Sequence, residues 1–329
     1  MPEICYKNMK YIRLKTTDPY LNLAVEEYLF RSSEDDIFML WQNSPTVVVG
    51  KNQNAYAEVN TEYAKEHGIN IVRRITGGGA VYHDLGNLNY TFITSVEKAK
   101  ALDYEYFTRP IIDALATHGV TATLSGRNDL EVDGKKFSGN AQFSSAGRIL
   151  HHGTLLFNTD VNEMSSVLRV DKEKLEYKAV KSHKSRVANL CDMIGKGIDL
   201  DGFIDIIENF VIKSMGAEPT PPPSNDGINV LAERNRSREW VYSDKRYLTS
   251  YTVTRRKKYP FGIVNLEMKL DGDIIEDIVI SGDFFEGESV GGLEALLKGK
   301  KLNNLDGIDV SRYINKMTTE ELAKLISNE

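Results

Sequence analysis

Cysteine is scarce. The 329 residues hold two, Cys5 and Cys191, with no CxxC pair and no Cys/His cluster. That argues against a disulfide-built scaffold and points to reduced thiols in a cytoplasmic protein. No apolar run approaches the ~20 residues that cross a bilayer, and the opening MPEICYKNMKYIRLK has no apolar core of signal-peptide length. No membrane role is expected. Positive charge is in deficit, with 41 Lys+Arg against 47 Asp+Glu, so the chain lacks the electrostatic footprint of a general nucleic-acid binder. Internal repeats and low-complexity tracts are missing. What remains, 41% hydrophobic and 27% charged residues, is the composition of a folded globular protein, and the length suits two domains.

The apolar residues recur in short, mixed elements. DPYLNLAVEEYLF predicts a first helix, with Asp18 as N-cap, Pro19 at the first helical position and a stripe of Leu21, Ala24, Val25, Tyr28 and Leu29. DIFMLWQN and TVVVGK read as strands divided by Ser44-Pro45. EVNTEYAKEHG reads as a helix ended by Gly68, and INIVRRI and NLNYTFITS as strands. In the helix around YFTRPIIDALATHG, Pro110 must lie near the first turn or kink it. Asp133-Gly134 predicts a hairpin, and ILHHGTLLFN another strand. Strands in hairpins and runs, with helices between them and no βαβ repeat, indicate an α+β fold with mixed or antiparallel sheets flanked by helices.

EPTPPPSNDG reads as a loop, because its prolines fit neither helix interiors nor central strands. Beyond Ser250, a hairpin turning at Asp271-Gly272 precedes two helices, GLEALLKG and TTEELAKLISN, the latter opening with a Thr318–Glu321 capping box. Two strands and two helices make a small α+β domain. The expected domains are residues 1–245 and 250–329.

RRITGGGAVYHDLGNLNY, residues 73 to 90, places three consecutive glycines between two arginines and a His-Asp pair. Glycine costs a strand or helix roughly 0.5–1 kcal/mol relative to alanine, so a triplet suggests close backbone approach or positive φ. A P-loop needs GxxxxGK[ST], which is absent here. A dinucleotide fingerprint needs a small residue where Tyr82 stands and a helix where a strand follows. Read alone, the triplet is also compatible with a tight turn that binds nothing. Arg73 and Arg74 alternate on a strand, so one is expected on the loop's concave side and the other facing out. Bare backbone N–H groups beside a guanidinium suit a carboxylate or phosphate.

A second polar set lies in GRNDLEVDGKKFSGNAQ: Asn128, Asp129, Lys135, Lys136, Ser138, Gly139 and Asn140. Alternation sends Lys135 and Lys136 to opposite faces, so at most one is buried, and the small residues of SGNAQ allow close approach. An exposed hairpin end is the usual reading of such a Lys-Lys pair. His151 and His152 lie in a strand without a nearby third nitrogen or sulfur ligand, so structural histidines are the default.

RRITGGGAVYHDLGNLNYTF, GRNDLEVDGKKFSGNAQ, HHGTLLFN and SRVANL stand in this order between residues 73 and 190 and together closely resemble the lipoate–protein ligases of the A type. DPYLNLAVEEYL and VVVGKNQN extend the likeness to roughly the first 245 residues, and the C-terminal segment is similar to the accessory domain of the two-domain ligases. The resemblance implies that lipoate and ATP with Mg²⁺ give lipoyl-AMP and pyrophosphate. A lysine of a lipoyl domain then attacks, forming an amide and releasing AMP. The implied acceptors are E2 subunits of 2-oxoacid dehydrogenases and the glycine-cleavage H protein.

It places the nucleotide along Gly78, Gly79, Ala80, Val81, Tyr82 and His83, with Arg74, Asn128, Asp129, Ser138 and Gly139 in the same site. Lys136 bridges the acyl carbonyl and the α-phosphate. Arg74, Lys136 and His152 are implied at lipoate, and Asp129 at the metal. Activating a carboxylate with ATP brings two anions together, which needs such cations and oriented N–H groups. Trp41, Val47 and Val48 are candidates for an apolar acyl tunnel. The expected protein is a monomer salvaging lipoate, with a C-terminal domain that moves between activation and transfer.

Two relatives of that chemistry compete. An octanoyltransferase would use a cysteine acyl-enzyme without ATP, but Cys5 and Cys191 lie outside the three ligand-forming blocks. A biotin ligase would carry the adenylate loop GRGRxGR, which is absent. A basic run, DKEKLEYKAVKSHKSRVANL, could steer an acidic acceptor through Lys178, Lys181 and Arg186, or simply be a solvated face.

Overall fold

The computed structural model describes residues 9–99, 102–126, 128–169, 187–195, 197–243, 246 and 250–328. Cys5, Lys178, Lys181 and Arg186 lie outside that set. The described chain divides into two compact units, one of residues up to 48, 59–72 and 81–236, the other of 49–58, 73–80 and 237–329.

In chain order the first strands and helices are β1 (Lys10–Arg13), α1 (Pro19–Ser32), β2 (Ile37–Trp41), β3 (Thr46–Val49), α2 (Ala55–Glu58), α3 (Thr61–Glu66), β4 (Asn70–Arg73), β5 (Val81–His83) and β6 (Asn87–Ser95). Then follow α4 (Tyr104–Ala116), β7 (Thr123–Ser125), β8 (Asp129–Val132), β9 (Lys135–Ser145), β10 (Arg148–Leu156), α5 (Val161–Val167), a helix at Leu200–Met215, β11 (Glu218–Pro219) and a helix at Asp226–Arg236. An eight-stranded sheet runs in the order β11-β1-β2-β6-β10-β9-β8-β7, parallel at β11/β1/β2 and antiparallel elsewhere. A three-stranded sheet has the order β4-β3-β5. The α+β expectation holds, with mixed pairing.

The local expectations are met where the residue chemistry is strongest. Asp18 caps α1 by accepting from the N–H groups of Tyr20 and Leu21. The β8–β9 hairpin turns on Asp133 (φ 51°) and Gly134 (φ 72°), the doubly positive pair that a right-twisted two-residue hairpin requires. Of the two expectations for Pro110, a place near the first turn is excluded, because it lies inside α4. Residues 218 and 219 of the proline-rich loop pair with β1 as an edge strand.

One face of the large sheet packs Phe38, Leu40, Leu88, Tyr90, Phe92 and Leu155 against α4 and the helix Leu200–Met215, through Phe107, Ile111, Phe203 and Ile207. Each such side chain contributes roughly 1.5–3 kcal/mol on burial. The other face meets α1. The expected stripe is incomplete, because Leu21 and Tyr28 are only half-buried while Asn22, Leu23, Glu26, Glu27 and Phe30 are buried as well. Arg234 grips the buried Glu27 carboxylate with both terminal nitrogens, and Arg31 Nε adds a contact at 2.8 Å.

In the second unit, β12 (Val253–Tyr259), β13 (Gly262–Asp271) and β14 (Ile274–Gly282) form an antiparallel sheet covered by helices at Val290–Leu297 and Thr319–Ser327. The expectation of two strands missed β12. Its run of Arg255, Arg256, Lys257 and Lys258 has no apolar alternation, because an edge strand keeps its charges in water. The Thr318–Glu321 capping box is present.

Burial works to raise the Glu27 carboxyl, but Arg234 and then Arg31 outweigh it and hold it below the ordinary range. A depressed carboxylate contributes stability above its unfolded value of about 4.3 and loses it as pH falls further. Arg234→Met should cost about 3 kcal/mol, because it strands a buried charge. In thermal melts across pH, the gap between variant and wild type should narrow as pH falls below about 4.3, because protonation neutralises the stranded carboxyl and removes the wild type's advantage.

Candidate functional site

Residues directly opposed in antiparallel strands share a sheet face, and so do alternate residues along each strand. On the α1 side this rule assembles a continuous row across five strands. Trp41 opposes Asn89, Asn89 opposes Thr154, and Gly139 opposes Asp129; the Gly139 N–H donates to Thr154 Oγ1 at 3.2 Å. Lys136 Nζ sits 2.8 Å from Asp129 Oδ1. A Cβ on Gly139 would lie 3.0 Å from that ammonium, so the glycine makes the space in which Lys136 lies. The adjacent row is Met39, Thr91, His152 and Ala141. A cation thus stands at one end of a small-residue strip and an indole at the other.

A hydrogen-bonded chain fixes the indole end. Trp41 Nε1 donates to Thr91 Oγ1 at 2.9 Å, so the Thr91 hydroxyl must spend its own hydrogen on Glu26 Oε1, 2.6 Å away. His152 Nδ1 lies 3.0 and 3.1 Å from the two Glu26 oxygens. All four residues are buried. His83 meets the edge of Trp41 at 6.0 Å between centroids. Asn22 on α1 donates to Asn43 Oδ1 at 2.9 Å, which turns the Asn43 amide nitrogen toward His83 Nδ1 at 3.1 Å. His83 therefore accepts at Nδ1 and, when neutral, carries its proton on Nε2. Tyr82 is buried in β5 opposite Val47, and Val81 opposes Val48.

Not every sequence candidate reaches this face. A register shift between Leu130 and Glu131 opposes Leu130 to Ser138 and Glu131 to Lys136, leaving Phe137 without an opposite residue. Ser138 consequently shares the core side with Asn140 and Tyr90, where Asn140 Nδ2 donates to Ser138 Oγ at 3.3 Å. The Asn128 side chain donates to the Asn140 carbonyl and the Asn128 backbone carbonyl accepts from Asn140 N, so this residue secures β9. His151 faces the aromatic core, stacked on Phe107, and burial holds its pKa well below the usual histidine value. Lys135 is exposed and Lys136 half-buried, as alternation required.

Arg74, Gly78, Gly79 and Ala80 belong to the second unit. The Arg74 guanidinium donates to Thr76 Oγ1 (2.8 Å), the Gly77 carbonyl (2.7 Å) and the Gly79 carbonyl (2.8 Å), and so shapes the glycine loop. Gly78 adopts φ +90°, and a Cβ there would lie 3.1 Å from Arg74. Gly79 faces open space. Arg73 does not face out as expected. It is buried, and its guanidinium donates to the carbonyls of Gly50, Lys51, Gln53, Trp240 and Val241. Main-chain carbonyls on its own side satisfy the charge without solvent.

Cys191 stands in a short 3-10 turn, Leu190–Asp192, with its thiol 3.8 Å from Asn158 Oδ1 and Asp192 Oδ1. Partial burial and then the Asp192 charge raise its pKa, the reverse of what an acyl-accepting thiolate needs. Among the described residues no group of three or more His, Cys, Asp or Glu is placed to hold a metal ion.

Sequence reasoning missed Glu26, Asn22, Asn89 and Thr91. A signal existed for them. Asn22 and Glu26 are four apart on α1, and NLNYTFITS alternates Asn87, Asn89 and Thr91 with Leu88, Tyr90 and Phe92, so one face of a buried strand is polar.

Comparison with known proteins identifies the family. The family model for the lipoyl protein ligase A/B catalytic domain matches residues 18–211, and that for the bacterial lipoate protein ligase C-terminus matches residues 249–326. Lipoate-protein ligase LplJ of Bacillus subtilis is 38% identical over 323 residues, spanning 94% of this chain and 97% of the relative. P. falciparum LipL1 in complex with lipoate has the same fold, with a TM-score of 0.76 at 24% identity over 89% of this chain and 90% of that one. The bi-partite lipoate protein ligase of Thermoplasma acidophilum, described with its E2 lipoyl domain, gives a TM-score of 0.61 at 28% identity over 75% and 99%. A lipoate-protein ligase A bound with ATP gives 0.60 at 25% identity over 71% and 98%. With a catalytic family model over more than half its length and a nearly full-length relative at this identity, the chain belongs to the lipoate–protein ligase family.

Proposed function

We infer that this ligase activates free lipoate with ATP and transfers it to the lysine of a lipoyl domain, on an E2 subunit of a 2-oxoacid dehydrogenase or the glycine-cleavage H protein. Supporting this are the relatives named for ATP, lipoate and an E2 lipoyl domain. The observation that carries it is Lys136, whose ammonium lies over Gly139 at the end of a strip of small residues leading to Trp41 and His152. An acyl chain laid along that strip presents its carboxylate to the ammonium.

A carboxylate oxygen of lipoate bonds to the α-phosphorus of ATP as the bond to the β-phosphate oxygen breaks, giving lipoyl-AMP and pyrophosphate. The acceptor amine then attacks the acyl carbon, loses its proton and expels AMP. Lys136 neutralises charge in both steps and is never the nucleophile. Its ion pair with Asp129 is a third exposed on each side, worth ~0–1 kcal/mol, so moving from Asp129 to substrate costs little.

Arg74 holds the glycine loop, and Gly78, Gly79, Ala80, Val81, Tyr82 and His83 line the nucleotide. Asn128 and Ser138 contribute by shaping the backbone around Lys136. Magnesium fits a site of one carboxylate plus substrate phosphates, with Asp129 its protein ligand, where it would neutralise the triphosphate. Residues 1–245 act as the catalytic domain and 250–329 as an accessory domain, in a cytoplasmic monomer. No helix among the described residues is long and apolar enough to cross a membrane.

Purified protein incubated with ATP, Mg²⁺ and lipoate should release pyrophosphate and hold lipoyl-AMP detectable by mass spectrometry. Lys136→Ala should slow adenylate formation on the order of 10²-fold or more. Adenylate formed equally well by that variant would remove Lys136 from the first step. Cys191→Ser should stay within about twofold of wild type, since burial and Asp192 disfavour its thiolate; loss of acyl transfer would instead favour a cysteine acyl-enzyme.

A further inference from the structure

Asn89 sits in the row between Trp41 and Thr154, on the α1 side of β6. It is 2% exposed. Asn87 Nδ2 donates to Asn89 Oδ1 at 2.9 Å, and with the two amides so turned Asn87 Oδ1 and Asn89 Nδ2 are the ends left over. That nitrogen has no hydrogen-bond partner among the described residues. Around it, Trp41, Thr91, Glu26 and His152 bond to one another, and Thr154 Oγ1 accepts from Gly139. A buried donor with its acceptor side already engaged is expected to meet an acceptor brought by something else.

The sheet sets the distance to the activation chemistry. Asn89 is two strands from Gly139, over which the Lys136 ammonium lies, or ~10 Å at the usual strand spacing. That is too far for the carboxylate being activated, yet within reach of the other end of the acyl chain. The acceptors there are the two ring sulfurs of lipoate. Octanoate places only C–H groups at the same point.

We propose that Asn89 is a specificity-determining residue, whose amide Nδ2 donates to a dithiolane sulfur of bound lipoate and so favours lipoate over an unsubstituted fatty acid of equal length. This rests on the ligase reading above and adds the choice of acyl substrate to it. Sulfur is a weak acceptor, so the discrimination is modest. An acid lacking the acceptor leaves the buried amide unpaired, which is how a polar site rejects an apolar analogue.

The test compares adenylate formation from lipoate and from octanoate, by kcat/KM with ATP and Mg²⁺, in wild type and Asn89→Leu. The variant should lose about threefold to tenfold with lipoate while octanoate stays within about twofold, so the preference collapses. A purely structural loss would lower both acids together. An unchanged ratio in a variant that still makes adenylate overturns the proposal and leaves the ligase reading standing. Wild type forming adenylate from neither acid would end both. Should the variant not fold, the isotope-labelled Asn89 side-chain amide of wild type must shift when lipoate binds and move far less with octanoate. No shift, or equal shifts with both acids, overturns the proposal.

Discussion

The central strand β6 is buried on both sides, and the rest of the first unit depends on how each side is satisfied. Leu88, Tyr90 and Phe92 enter the aromatic core, while Asn87, Asn89 and Thr91 point at α1. A polar group buried without a partner costs ~1–3 kcal/mol, so the second face demands a matching polar helix. α1 supplies it. Glu26 accepts from Thr91 and faces His152, and Asn22 orients Asn43 and through it His83. A helix with a plain apolar stripe would leave these groups stranded.

That constraint explains why the candidate site lies on the α1 side. The opposite face is filled by rings and aliphatic chains, with Tyr90 and Asn140 bonded to each other and burial pushing the Tyr90 hydroxyl far up. The α1 face combines small residues, Gly139 and Ala141, with directional groups such as Asn43 and His83, which are oriented by their neighbours. Fixed donors and acceptors without bulk are what a binding strip requires, because ordering is already complete before the ligand arrives.

The glycine triplet gains a meaning of the same kind. Its three residues do different things: Gly77 meets the Phe284 carbonyl, which a Cβ would approach to 2.5 Å, Gly78 takes a positive φ beside Arg74, and Gly79 borders open space. Arg74 ties the loop through its carbonyls, while the Gly78 N–H donates to the Phe284 carbonyl at 3.3 Å. A guanidinium used in this way fixes the shape of the loop.

Local chemistry was legible wherever it is decided within a few residues. The Asp18 cap, the Asp133-Gly134 hairpin, the Thr318–Glu321 box and the alternation that separates Lys135 from Lys136 all follow from side chains acting on their own backbone. The α+β class and the family likeness followed from the order of such elements. The tertiary structure decided the rest. Arg73 is buried because carbonyls from residues 50–53 and 240–241 converge on it, and Ser138 turns from the site because the register shift around Phe137 reverses its side. Glu26 reads as a surface residue on α1 until β6 and β10 are placed against it. Long-range pairing sets which face a residue joins and what partners it finds there, and neither is written in its neighbours along the chain.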